Sequence, residues 1–467
     1  MLGACAPGAI ANPVVAGNYP DPSVVREPDG WYAASTSTDW LPAFPILYSP
    51  DLGHWRQVGS VLSERPRWAA GDFWAPEFQR RGKRVLVYYS ALSRSGRRCI
   101  AVASSVRIRG PYRDHGPLAC SRIGDIDPLP AVDEYGAEWL IWKRNGNAHR
   151  LPTPIVAAPL APGGLALNGL PRELFRGDAA WERELVEAPA LLRRDGLFYL
   201  IYSGAGCCGP RCTYQTGVAR SASLLGPWEK RPEPLLRPNP VFRCPGHASV
   251  FPGPDGAPLL AYHAYARGDA ADRHFLISGF GVGADGWPAV EGPVAPPGGA
   301  PEQRFGFGRS HLGLGWEWPV GRRPAARPAG GRLHLRGGVL ARQARTSSFR
   351  AQVLVGERSP GARAGLVVLS AGGEGAAVEV LGRRVVARRL EDGGTTRVAQ
   401  TAPAAAAEVP LRVTAGRSVR LAARVGGRWR VVATGLPAPR SGPRIGVLVS
   451  GPSGASAAFD DLWIRPR

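Results

Sequence analysis

The 467-residue chain has almost no lysine. Only Lys83, Lys143 and Lys230 stand among its 58 basic side chains, although the formal net charge is +21. Such one-sided arginine usage reflects genome composition as much as function. No recognised nucleic-acid motif and no alternation of basic with aromatic residues accompanies it. The charge is unevenly placed, with 25 Arg against 9 Asp plus Glu in 316–467. We read a solvated Arg-rich face there and expect no nucleic-acid partner. An acidic polysaccharide is an intermediate reading. Long amphipathic helical patterns are missing too, and no apolar stretch reaches the ~20 residues that span a bilayer as a helix. No transmembrane segment is expected.

Cysteine is sparse: Cys5, Cys99, Cys120, Cys207, Cys208, Cys212 and Cys244. The dense group at 207–212 lacks CxxC spacing and a neighbouring His pair, so zinc is disfavoured. Disulfides among six, with Cys5 left over, imply an oxidising compartment. Their connectivity is not legible in sequence. Residues Met1–Cys5 end like a bacterial lipoprotein cleavage box, but the basic and apolar regions of such a signal are absent. Either the sequence begins within such a signal or the match is chance. The expectation is an extracellular or cell-surface protein, with Cys5 as a candidate lipid anchor.

What is abundant is turn and strand chemistry. The chain holds 61 Gly and 46 Pro, with 44% hydrophobic residues to build a core. Short β-branched or aromatic runs such as Arg84–Tyr89, Glu138–Trp142, Leu197–Tyr202 and Pro258–Tyr262 lie between turn residues and read as strands. Five of them start near Trp31, Leu86, Trp139, Phe198 and Leu259, at intervals of 55, 53, 59 and 61 residues. Self-similarity at this period signals a β-propeller with one four-stranded blade per repeat. A β-sandwich of the same length would leave the period unexplained. We therefore predict an all-β protein: a tail at 1–11, a five-bladed propeller at 12–300, a Gly-rich linker at 301–315 and a β-sandwich at 316–467.

Ten to twelve residues before each anchor lies a polar or aromatic residue: Asp21, Trp74, Asp127, Glu187 and His247. Each has an ordinary structural explanation by itself, Asp-Pro being a common turn start. Their shared phase predicts that all five ring one pocket on the propeller axis. Glu187 sits between Val186 and Ala188, ahead of an apolar run. Burial of a carboxyl disfavours its charged form, which is what a general acid near neutral pH requires. Three carboxylates in one pocket suit glycoside hydrolysis, and a tryptophan offers a flat wall to a sugar ring. Nothing in this set needs a metal for the chemistry.

The ordered set of motifs resembles glycoside hydrolase family 43. It runs from Asn12-Pro13 and Pro20-Asp21-Pro22 through Trp74-Ala75-Pro76, Ile126-Asp127-Pro128 and Glu187-Ala188-Pro189. It continues with Gly246-His247-Ala248-Ser249, Tyr262-His263-Ala264 and Gly286-Trp287-Pro288. The resemblance implies Asp21 as general base, Asp127 as pKa modulator and orienter, and Glu187 as general acid, with inversion. It implies a sugar-facing Trp74, a pocket-floor His247, and Arg273 as a further candidate for holding sugar hydroxyls. Some relatives hold a structural calcium ion near that histidine. The expected substrate is an arabinan, arabinoxylan or xylan, cleaved by an exo-acting α-L-arabinofuranosidase or β-xylosidase. An endo-1,5-α-L-arabinanase and a non-catalytic glycan-binding propeller are the alternatives. The fructan-cleaving sister families, with Asn-Asp-Pro and Glu-Cys surroundings, rank second. From Trp316 onward the short alternating strands, closing on Phe459-Asp460-Asp461-Leu462, resemble a concanavalin-like domain, with Asp460 as a candidate cation neighbour.

Overall fold

The computed structural model describes residues 10–269, 271–290, 292–293, 300–321, 323–391, 394–400, 407–439 and 441–467. Cys5, and with it the anchor reading, lies outside the described residues. The chain divides into two compact units. The first is Met1–Thr38, Pro42–Gly268 and Arg273–Gly298; the second is Asp39–Leu41, Asp269–Asp272 and Gly299–Arg467. Among the described residues the only helical elements are two short 3₁₀ turns, Gly146–His149 and Ala180–Glu182. Among the described residues no helix is long and apolar enough to cross a membrane.

The first unit is a five-bladed β-propeller. Each blade is a four-stranded antiparallel meander in chain order. The innermost strands are Ser23–Glu27, Ala69–Arg81, Asp125–Val132, Val186–Arg194 and Phe242–Pro252. All five repeat anchors fall in the second strands, Gly30–Ala34, Arg84–Ser93, Glu138–Arg144, Leu197–Gly204 and Pro258–Ala266. These strands are buried on both faces between neighbouring blades, which is why they read as continuous apolar runs. Their side chains meet as inter-blade clusters: Leu129, Ile141 and Ile155 of blade 3, for example, pack with Phe198, Leu200 and Tyr202 of blade 4. The ring is closed by residues ahead of blade 1. Asn12 exchanges two hydrogen bonds with the Ile277 backbone (2.7 and 2.9 Å), and Val15 pairs with Phe275 in blade 5.

The inner strands share a strained register. Asp21, Ala75, Asp127, Ala188 and His247 all have left-handed backbones, with φ between 49° and 59°. In blades 2 to 5 this residue sits in a β-bulge. Bulges re-aim side chains and are enriched beside functional sites. The structure thus shifts the single phase expected for the five pocket residues. Asp21, Asp127 and His247 occupy the left-handed position, whereas Trp74 and Glu187 lie one residue before it, alongside Pro20, Ile126 and Gly246. Pro22, Pro76, Pro128 and Pro189 mark the true register.

The second unit is a two-sheet sandwich. One sheet has eight strands and the other six, Gly338–Gln343, Arg444–Ser450, Arg363–Leu369, Gly375–Leu381, Arg384–Glu391 and Gly394–Gln400. Within 301–315, Gln303–Phe305 forms a strand paired with Ser456–Pro466 in the eight-stranded sheet. Trp40 belongs to this unit. Its strand, Trp40–Leu41, pairs with Trp318–Pro319, and its ring packs among Ala341, Val367, Leu369, Ala377 and Leu448. Its Nε1 donates to Ala371 O (3.0 Å), and the Arg444 guanidinium lies 5.0 Å from the ring centroid. Asp460 Oδ1 accepts the Asp461 N–H (2.7 Å).

Candidate active site

The site grows out of one repeated hydrogen bond. The residue before each left-handed position faces a side chain in the second strand of its own blade, or in the turn that follows it. That side chain then serves the next blade. Thr36 Oγ1 accepts the Ala75 N–H (2.7 Å), and Ser90 Oγ accepts the Asp127 N–H (3.0 Å). Ser203 Oγ accepts the His247 N–H (2.9 Å), and His263 Nδ1 accepts the Asp21 N–H (3.2 Å). The fifth position is Lys143, which pairs in register with Ile126. Lysine has no acceptor. The Ala188 N–H therefore donates to Asp127 Oδ2 instead (3.0 Å), and Lys143 Nζ turns to Glu187 Oε2 (2.6 Å). This break in the fivefold pattern gathers Asp127, Lys143 and Glu187.

Asp21 is 8% exposed. Its Oδ2 accepts from Thr36 Oγ1 (2.6 Å), and its Oδ1 lies 3.4 Å from both Arg273 Nη1 and His247 Nδ1. Burial alone would raise this carboxyl, but the Arg273 guanidinium and the His247 ring outweigh it and hold Asp21 well below the usual carboxylate range. His263, fully buried, is pushed down to about 4 by that burial, and its Nδ1 lies 3.2 Å from both the Asp21 N and Asp21 Oδ1. Burial pushes the Asp127 carboxyl up to about 6. The His247 ring opposes the rise, the Glu187 carboxylate adds to it and Lys143 opposes it. Glu187 is 9% exposed and Lys143 is 1% exposed.

Tyr214 completes the wall behind Glu187. Burial first, then the charges of Glu187 and Asp127, raise its hydroxyl well above the ordinary value, so it remains a neutral donor. Its ring stacks on His263 with centroids 5.9 Å apart. The same ring explains Gly246, the blade 5 counterpart of Glu187. A Cβ there would meet Tyr214 Cε1 at 2.1 Å.

Trp74 is half-buried. It pairs in register with Ser90, the acceptor for Asp127, and the Arg98 guanidinium covers its ring at 4.5 Å from the centroid. Asp72 holds Arg98 in place (2.7 Å). All six residues singled out from sequence lie in the propeller. Asp21, His247 and Arg273 are in direct contact, Asp127 and Glu187 are joined through Ala188 and Lys143, and Trp74 connects through Ser90. Sequence reasoning missed Lys143, Tyr214, Thr36 and the role of His263. Lys143 did carry a signal, being one of three lysines in an arginine-dominated chain.

Calcium takes roughly six to eight oxygen ligands. His247 Nδ1 lies 3.4 Å from Asp21 Oδ1, and the His263 ring is 6.4 Å away between centroids. Among the described residues no three His, Cys, Asp or Glu side chains are grouped to hold a metal ion.

Three buried carboxylates, Asp21, Asp127 and Glu187, thus converge within a five-bladed propeller. The family model for Glycosyl hydrolases family 43 matches residues 10–288, and the chain belongs to that family. It is 27% identical over 272 residues to a xylosidase/arabinosidase 43B of Humicola insolens, a match covering 54% of this chain and 48% of that protein. It is 27% identical over 289 residues to an extracellular endo-alpha-(1->5)-L-arabinanase 1 of Bacillus subtilis (strain 168), covering 58% and 86%. The chain thus spans about half of the first relative's length and most of the second's. The crystal structure of a xylan beta-1,4-xylosidase from Bacillus halodurans C-125 superposes with a TM-score of 0.80 at 22% identity, over 98% of this chain and 99% of that one. At that identity it speaks for the fold of both units.

Proposed function

We propose that the protein is an inverting glycosidase acting on arabinose- or xylose-containing plant glycans, in exo mode as an α-L-arabinofuranosidase or a β-xylosidase. The observation that carries this reading is the convergence of Asp21, Asp127 and Glu187, each less than a tenth exposed, from blades 1, 3 and 4. In an inverting reaction one carboxylate activates water on one face of the sugar while a carboxylic acid protonates the leaving oxygen on the other. Asp21, held ionised by Arg273 and His247, is suited to take the proton of the water. Glu187 is the general acid. Asp127 accepts the Ala188 N–H and so fixes the peptide that follows Glu187. Trp74, backed by Arg98, supplies the apolar wall, and Arg273 and His247 offer N–H groups to sugar hydroxyls.

The names of the relatives support the substrate class. The disulfides Cys99–Cys120, Cys207–Cys208 and Cys212–Cys244 support an extracytoplasmic setting. Lipid anchoring through Cys5 is the finer part of that setting, and metabolic labelling with a fatty acid tests it. The deciding experiment for the activity is NMR of products from arabinan, arabinoxylan and xylan, which reports sugar, bond and anomeric configuration together. Release of a single pentose with inversion supports the reading. A retained configuration, or no turnover of any of these or of aryl glycosides, removes it. Internal oligosaccharides from linear arabinan would replace exo with endo action.

A further inference from the structure

The loop between the second and third strands of blade 4 carries a disulfide between adjacent residues, Cys207–Cys208. Such a bond closes a small, stiff ring around one peptide unit and presents two polarisable sulfurs on one apolar face. Its setting is unusual. Arg273 Nη1 lies 3.4 Å from Asp21 Oδ1 and 3.7 Å from Cys208 Sγ, so one guanidinium nitrogen touches both the carboxylate and the sulfur. Cys208 is exposed, while Arg273 and Asp21 beneath it are largely buried. The disulfide therefore stands at the solvent edge of the pocket.

The loop is also fastened more firmly than an exposed loop requires. Its base is closed by the Thr213 N–H donating to Gly206 O (2.9 Å). The Gly209 N–H donates to the Tyr265 hydroxyl (3.1 Å). The second disulfide, Cys212–Cys244, ties the loop to the inner strand of blade 5, three residues before His247. Arg243 packs over the Tyr265 ring at 4.6 Å.

Resting on the glycosidase reading, we propose that the Cys207–Cys208 disulfide is a wall of the sugar subsite beside Asp21. It contacts the C–H face of a bound pentose and borders Arg273, 3.7 Å from Cys208 Sγ. It is a positioning and specificity element and takes no part in bond cleavage.

The test compares wild type with the Cys207→Ala/Cys208→Ala double variant on 4-nitrophenyl α-L-arabinofuranoside and β-D-xyloside. Binding of free L-arabinose and D-xylose is measured in parallel by calorimetry. The variant is expected to raise KM and weaken sugar binding about tenfold, with kcat changed far less, because a lost apolar wall removes uniform binding. Unchanged melting temperature excludes a folding defect. As a second route, wild type is titrated with a dithiol, which is oxidised to its cyclic disulfide as the protein bond becomes two thiols. The rise in KM or fall in sugar affinity must track alkylation of Cys207 and Cys208, ahead of the buried Cys99. A variant that keeps wild-type KM and sugar affinity overturns the proposal while leaving the glycosidase reading intact. A wild type that binds sugar without turnover removes the glycosidase reading, and the affinity ratio still decides the disulfide. A wild type that neither binds nor cleaves removes both.

Discussion

Lys143 Nζ lies 2.6 Å from Glu187 Oε2, at the one of five equivalent positions around the channel where the preceding blade offers no hydrogen-bond acceptor. The exchange of an acceptor for a cation frees the Ala188 N–H for Asp127 and sets the buried Lys143 ammonium against the Glu187 carboxyl. Removing one partner of a buried hydrogen bond leaves the other unsatisfied, costing about 1–3 kcal/mol. Lys143→Met is expected to lose stability on that scale and to lower kcat/KM by about 100-fold or more, through a misplaced Glu187. Urea unfolding and initial-rate kinetics check both. Lys143→Arg should not rescue, because a planar fork does not replace a compact ammonium. Wild-type kinetics in either variant would sink the assignment of this pair to the site.

Asp127 gives a pH signature in stability. Its carboxyl rises from 3.8 to about 6 on folding. Between those values the folded state holds a proton that the unfolded state has lost, so this group's contribution is full at low pH and disappears as pH climbs toward 6. Asp127→Asn removes that slope. Denaturant midpoints of the two proteins, measured from pH 4 to pH 7, should differ least favourably for the variant at the acid end. The gap should close, or change sign, by neutrality. Parallel curves would refute the raised carboxyl.

Gly246→Ala tests the space beside Glu187. The new Cβ would overlap Tyr214 at 2.1 Å, and the ring has His263 stacked behind it. Overpacking of this kind costs about 1–3 kcal/mol or more. Thermal unfolding and the pH–rate profile should both shift, since Tyr214 and Glu187 interact.

Trp40→Ala tests which unit owns this residue. Truncating a buried tryptophan costs about 3–5 kcal/mol. The loss is expected in the transition reported by the sandwich, although position 40 lies within the first blade's stretch of sequence. A shift confined to the propeller transition would show otherwise.

Much of this architecture is legible in the chain. The anchors Trp31, Leu86, Trp139, Phe198 and Leu259 recur because each second strand is buried between blades, and burial writes itself as apolar sequence. In the sandwich, runs such as Phe349–Val355 and Ala364–Leu369 sit inside observed strands for the same reason. The register of the inner strands was readable from the prolines but not from the functional residues, since a bulge lets Trp74 and Glu187 enter the pocket one position early. Lys143 was hidden because its meaning depends on pairing with Ile126 and on a hydrogen-bond rule spanning two blades. The disulfides were hidden likewise: Cys212 bonds to the next blade, and Cys207 to its own neighbour. Nothing local distinguishes Trp40 from a blade residue.

Ring closure has a consequence for biosynthesis. The Asp21 N–H is satisfied by His263, and Asn12 is clasped by Ile277. While the ribosome is still making the first four blades, the edge of blade 1 has no partner, and Asp21 lacks both His263 and Arg273. The residue read as the base is among the first to be synthesised and among the last to be put in order. A nascent chain stalled before position 263 would have neither of these partners of Asp21 in place, so its pocket would be unfinished.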